Sequence, residues 1–166
     1  MNKKRTIIGF LLVAIGGITA YFLIQETPKE HTIVLTCEDA NITQENVNSK
    51  CRFGQASTTT NKEYTVEVEL KDEVTWTGKF KESDQGTINI KSITKEDGDW
   101  FFDTEPLRDG GTGTIKAKVT KGNEEDVLKY KLTFEALDNT GKKIGTFEID
   151  PKIKMVRPTI KDGIEQ

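Results

Sequence analysis

Glu63–Lys71 reads EYTVEVELK. Side chains alternate across an extended chain, so Tyr64, Val66, Val68 and Leu70 share one face and Thr65, Glu67, Glu69 and Lys71 the other. One apolar and one charged face is the pattern of a half-buried antiparallel strand. The alternation continues on both sides of this stretch. His31–Cys37 (HTIVLTC) opens it. Val74–Lys81 points Val74, Trp76 and Phe80 inward after a tight Asp72-Glu73 connection. Thr87–Ile93 presents Ile88 and Ile90, and Trp100–Asp103 reads as a short aromatic strand. Thr112–Thr120 presents Ile115, Ala117 and Val119, and Val127–Glu135 presents Leu128, Tyr130, Leu132 and Phe134. Gly145–Asp150 and Lys152–Val156 complete the series. No convincing helical period interrupts it. Asp97-Gly98, Gly122-Asn123 and Asp138-Asn139-Thr140-Gly141 supply turn chemistry. About eight or nine short strands with turns at this spacing predict an all-β fold, an antiparallel β-sandwich over residues 31–157. Residues 158–166 form a tail, since Pro158 argues against a central strand.

Two segments share a pattern. Tyr64, Glu69, Asp72, Gly78 and Phe80 correspond to Tyr130, Glu135, Asp138, Gly145 and Phe147, with one residue of slippage after the turn. Both read as amphipathic hairpins, and any two such hairpins agree this well without a duplication.

Upstream, Thr6–Gln25 (TIIGFLLVAIGGITAYFLIQ) carries no charge. Twenty helical residues span about 30 Å, the thickness of a hydrocarbon core. Lys3, Lys4 and Arg5 precede it, and the positive-inside rule keeps that end cytoplasmic. The expected organisation is a basic stub (1–5), a transmembrane signal-anchor helix (6–25), a linker (26–30) and an exported domain. A cleaved secretory signal is the competing reading, but Tyr21-Phe22-Leu23-Ile24 prolong the apolar run beyond a poor Ile18-Thr19-Ala20 cleavage site. Both readings place the domain in the periplasm or outside the cell. The chain's net charge is −3; removing the three stub bases from 24 leaves 21 against 27 acids, so the part after residue 25 is net −6.

Cys37 and Cys51 are the two cysteines. Export places them in an oxidising compartment, where they are expected to join as a disulfide. Closing a loop of that length contributes on the order of 3 kcal/mol. The sandwich is immunoglobulin-like in architecture, and the likeness covers no diagnostic motif. Trp76 follows both cysteines instead of lying between them.

Composition narrows the chemistry. An acidic domain offers no basic face for nucleic acid. His31 is the sole histidine, which leaves no base for a nucleophile elsewhere and too few ligands for zinc. Gly110–Thr114 lacks the Lys-Ser/Thr ending and strand-to-helix setting of a phosphate loop. No cofactor and no catalytic set is expected. The most informative stretch is Lys95–Gly113, KEDGDWFFDTEPLRDGGTG, which gathers carboxylates around three aromatic residues. Its acids match no calcium-loop spacing. Either this aromatic strand is covered on both sides, or one of its faces is a binding patch; if it forms a surface, Trp100 and Phe102 with Arg108 are the candidate binding residues, because aromatic residues and arginine anchor interfaces. The expected function is that of a non-enzymatic envelope module, tethered to the membrane and binding a protein. A module binding carbohydrate through residues 95–113 is the alternative, and it requires an exposed Trp100 or Trp76.

Overall fold

The alternating segments fold into ten strands in a computed structural model that describes residues 27–54 and 59–157. The strands are β1 (Glu30–Cys37), β2 (Cys51–Arg52), β3 (Thr65–Val68), β4 (Glu73–Phe80), β5 (Thr87–Asp97), β6 (Leu107–Arg108), β7 (Ile115–Lys118), β8 (Val127–Leu137), β9 (Lys143–Ile149) and β10 (Lys152–Met155). One short helix, α1 (Val47–Lys50), precedes β2. The predicted anchor at 6–25 and the tail at 158–166 lie outside the described residues. No helix among the described residues is long and apolar enough to cross a membrane.

The strands form two sheets, ordered β2-β1-β4-β7 and β3-β10-β8-β5-β6, with β9 also paired to β8. Both sheets are mixed, which corrects the all-antiparallel expectation. β1 runs parallel to β4 along its whole length, from Glu30↔Glu73 to Cys37↔Phe80, and β3 runs parallel to β10. Alternation fixes which face a residue takes, but not which strand lies beside it. For the same reason only one of the two look-alike hairpins is a hairpin. β8 and β9 pair antiparallel. β3 and β4 lie in different sheets, and the connection through Asp72 crosses between them.

The inward residues form one core. Trp76, Tyr130, Phe101, Phe102 and Phe134 are its largest fully buried side chains. Each buried aromatic removes about 150–250 Å² from water, on the order of 4–6 kcal/mol before entropy is counted. The indole N–H of Trp76 donates to the Tyr130 hydroxyl at 3.0 Å across the interior. Burial pushes the Tyr130 phenol far above its ordinary value of 10.0.

The registers define two ends. β1 and β4 begin where β3, β7 and β10 finish. The chain therefore enters at Pro28–Glu30 and reaches Arg157 at the same end, here called basal. The distal end carries Cys37–Cys51, residues 81–86 and residues 138–142.

Candidate functional site

The basal end departs most from the alternating pattern. By parity Leu70 should point inward and Glu69 outward. β3 stops at Val68, however, and a turn over 69–72 reverses the pair. Glu69 and Asp72 are buried at 6% and 2% exposure, whereas Leu70 is 47% exposed. The Asp72 N–H donates to the Glu69 carbonyl at 3.1 Å, closing the turn. Lys71, its third residue, has φ 79°, a left-handed conformation that this turn position ordinarily gives to glycine.

The buried carboxylates need partners, because an unpaired buried charge costs several kcal/mol. Asp72 is fully engaged. Its Oδ1 accepts the Lys29 backbone N–H at 2.8 Å. Its Oδ2 accepts the Glu69 N–H at 2.9 Å and meets His31 Nε2 at 2.7 Å. Glu69 pairs with the Lys29 ammonium. Backbone bonds bind the turn further: Lys71 N–H to the Val119 carbonyl at 2.9 Å, Val119 N–H to that of Asp72 at 2.8 Å, and Glu73 N–H to that of Lys29 at 2.9 Å. The network therefore fastens the entering chain, Lys29 to His31, to the turn. A shallow open pocket of about 220 Å³ beside it is lined by Pro28, Lys29, Glu30, Lys71, Glu73 and Lys118. Glu73 pairs with Lys116 at 2.5 Å. Among the described residues, Lys71 and Lys118 have no ion-pair partner.

Sequence reasoning places Glu69 on an outward strand face and Asp72 in a connection, and assigns neither to a site. The available signal was a lone histidine at the start of a strand in a chain with charges at every turn, which does not single out a partner.

The residues it did name are placed differently. Trp100 and Phe102 are in the core, at 7% and 1% exposure. Residues 100–103 form no strand; residues 100–102 turn inward as a plug in the core, and Asp103 is exposed. Trp100, Phe102, Trp76 and Tyr130 make a chain of edge-to-face rings with centroids 5.4, 5.5 and 6.1 Å apart. Trp100 Nε1–H donates to the Thr104 carbonyl at 2.7 Å, which satisfies the indole without solvent. Phe101, fully buried too, holds the plug through its carbonyl, which accepts Thr120 N–H at 2.9 Å. Arg108 is exposed on β6, away from both rings' inward faces. The three do not make a common surface, and the stacking platform required for carbohydrate is inside the protein. Two nearby carboxylates are occupied by lysines, Asp97 by Lys129 at 3.0 Å and Asp109 by Lys91 at 2.9 Å. The Lys91 ammonium, aided by the Gly111 and Gly113 N–H groups, holds the Asp109 carboxyl below its usual range. Among the described residues no group of three His, Cys, Asp or Glu side chains is placed to hold a metal ion.

At the distal end Cys37 and Cys51 are bonded, as register partners of β1 and β2. The loop they close is internally ordered. Glu38 N–H donates to the Lys50 carbonyl at 2.9 Å, and Lys50 Nζ meets Asp39 at 2.6 Å. That ammonium holds the Asp39 carboxyl below its usual value. The loop also reaches across to β9. The Gln44 side-chain amide donates to the Glu148 carbonyl at 3.4 Å and accepts its N–H at 3.4 Å. This is how a neighbouring strand would bond there.

No family model matches the chain. No curated protein matches it by sequence. Among solved structures, it resembles the inclusion body protein PixA from Burkholderia cenocepacia J2315, with a TM-score of 0.52 and 8% identity, over 80% of this chain and 99% of that one. At that identity the likeness concerns the fold alone.

Proposed function

We propose that this chain is a membrane-anchored, extracytoplasmic and non-enzymatic module that binds a protein partner in a cell envelope, taking the partner's extended segment along β9. The observation that carries this reading is the Gln44 amide on Glu148. It occupies one step of a sheet edge that, among the described residues, pairs on its other side with β8 only. By the two-residue alternation of a strand, Thr146 turns its N–H and C=O to the same edge as Glu148. A partner strand that displaces Gln44 would continue the ladder, the mode known as strand addition. The uncharged run at 6–25 and the entry of the chain at the basal end support the anchored orientation, since they leave β9 and the distal loops facing away from the bilayer.

A photo-reactive residue at Thr146, introduced into the full chain in intact cells, tests the reading. The expected result is a discrete adduct at Thr146 and none from the same probe at Lys95, on the basal half of β5. Equal labelling at both positions, or none at Thr146, overturns it.

A further inference from the structure

We infer that the basal turn Glu69–Asp72 is a foot that rests on the lipid surface, with Leu70 entering the interface and Lys71 and Lys118 meeting lipid phosphates. The inference rests on reading residues 6–25 as a membrane anchor. Three observations carry it, and the first is chain length. Lys29 is hydrogen-bonded onto the turn through both its N–H and its C=O. Only Glu26, Thr27 and Pro28 separate it from the end of the uncharged run at Gln25. Four steps of chain reach at most about 14 Å. The polar layer of one leaflet is about 5–8 Å deep, from the difference between total and hydrocarbon thickness. A turn tied at Lys29 therefore lies in or just above that layer.

The second observation is where apolar surface is left open. Leu70 and Val127 are the exposed large hydrophobic residues of the described chain, at 47% and 36%. Both are basal: Leu70 tips the turn after β3, and Val127 opens β8 opposite Lys154 of β10. The third is charge. Lys71 and Lys118 line the pocket beside Pro28, where the chain enters, together with Glu30 and Glu73, and neither lysine has an ion-pair partner among the described residues. Ammonium groups held at the level of the headgroups can meet the lipid phosphates. The buried ends of the turn, Glu69 and Asp72, make it rigid enough to present Leu70 instead of folding it back.

The test uses the full chain, oxidised so that Cys37–Cys51 does not react, reconstituted in vesicles of phosphatidylcholine and phosphatidylglycerol. Leu70→Cys and, at the distal end, Asn139→Cys are each labelled with an environment-sensitive fluorophore. Spin-labelled lipids are then added as quenchers. The expected result is quenching several-fold stronger at position 70 than at 139, reduced in the Leu70→Cys protein that also carries Lys71→Glu and Lys118→Glu. Flotation with the vesicles after alkaline washing, combined with equal quenching at both positions, overturns the foot and leaves the anchor standing. Failure to float overturns the anchor reading and the foot with it. A probe at 70 shielded from solvent but unquenched by lipid, or cross-linking there to a second copy, also overturns the proposal.

Discussion

At the distal end a covalent bond holds the structure: Cys37 and Cys51 face each other across β1 and β2, and the loop between them folds on its own hydrogen bonds. At the basal end buried charge does the equivalent work, with Asp72 gathering two backbone N–H groups and His31 while Glu69 takes Lys29. The two devices fail differently. A disulfide acts chiefly by restricting the unfolded chain, so its loss lowers stability without leaving a polar group stranded in the folded state. A buried carboxylate acts in the folded state, so its loss leaves donors stranded in a low-dielectric site. Of the two devices, the basal one engages the entering chain, through Lys29 and His31.

Asp72→Ala should break this comparison most severely. It removes the acceptor of the Lys29 and Glu69 N–H groups and the partner of His31, and it leaves Glu69 and Lys29 without their neighbour. Breaking a buried pair in this way costs about 3–5 kcal/mol, a large share of the 5–15 kcal/mol typical of a domain. Denaturant titration reads the loss. Hydrogen exchange should place it at Lys29 and Glu69 while the distal loop stays protected. A loss below about 1 kcal/mol, the worth of one ordinary hydrogen bond, would mean that the basal end is not held by this carboxylate.

How far the two ends could be read in advance also differs, for a physical reason. The disulfide was legible because two cysteines have one possible pairing, and the strands because alternation is a local property. Asp72 was not legible. Nothing in Glu69-Leu70-Lys71-Asp72 says that β3 stops at Val68, and one residue's shift in that boundary exchanges the fates of Glu69 and Leu70. The place of Trp100 and Phe102 was legible only as a choice between two readings. Three consecutive aromatics in a strand are either covered on both faces or leave one face as a patch, and here an irregular segment turns all three inward. The parallel pairing of β1 with β4 depends on partners far apart in sequence, which no local pattern encodes.

The joint replacement Cys37→Ala with Cys51→Ala should come next in size. The bond closes a separation of 14 residues, for which the chain-entropy estimate is about 3 kcal/mol. The variant should remain folded, with faster amide exchange at Glu38 and Lys50 and unchanged exchange at Glu69 and Asp72. If exchange rises equally at both ends, the ends are one cooperative unit and the contrast between them disappears.

The smallest effect has the opposite sign. Left-handed backbone falls to glycine at both ends, as at distal Gly141 with φ 80° and basal Gly98 with φ 81°. Among the described residues, the non-glycine residues in that region are Lys71 with φ 79° and Glu125 with φ 71°, both basal. Left-handed backbone costs a residue with a Cβ roughly 1–2 kcal/mol, while glycine loses about 0.5–1 kcal/mol of chain entropy on folding. Lys71→Gly should therefore stabilise the isolated domain by about 0.5–1 kcal/mol, measured as a higher denaturant midpoint. The Lys71 N–H bond to Val119 survives the change, so no loss offsets the gain. The same variant should weaken the lipid contact at Leu70, because it removes an unpaired ammonium from the pocket beside the chain entry. Stability and membrane contact then move in opposite directions at one residue. That divergence separates a lysine kept for its charge from a turn that merely tolerates it, since a tolerated lysine would give the stability gain with lipid quenching at position 70 unchanged.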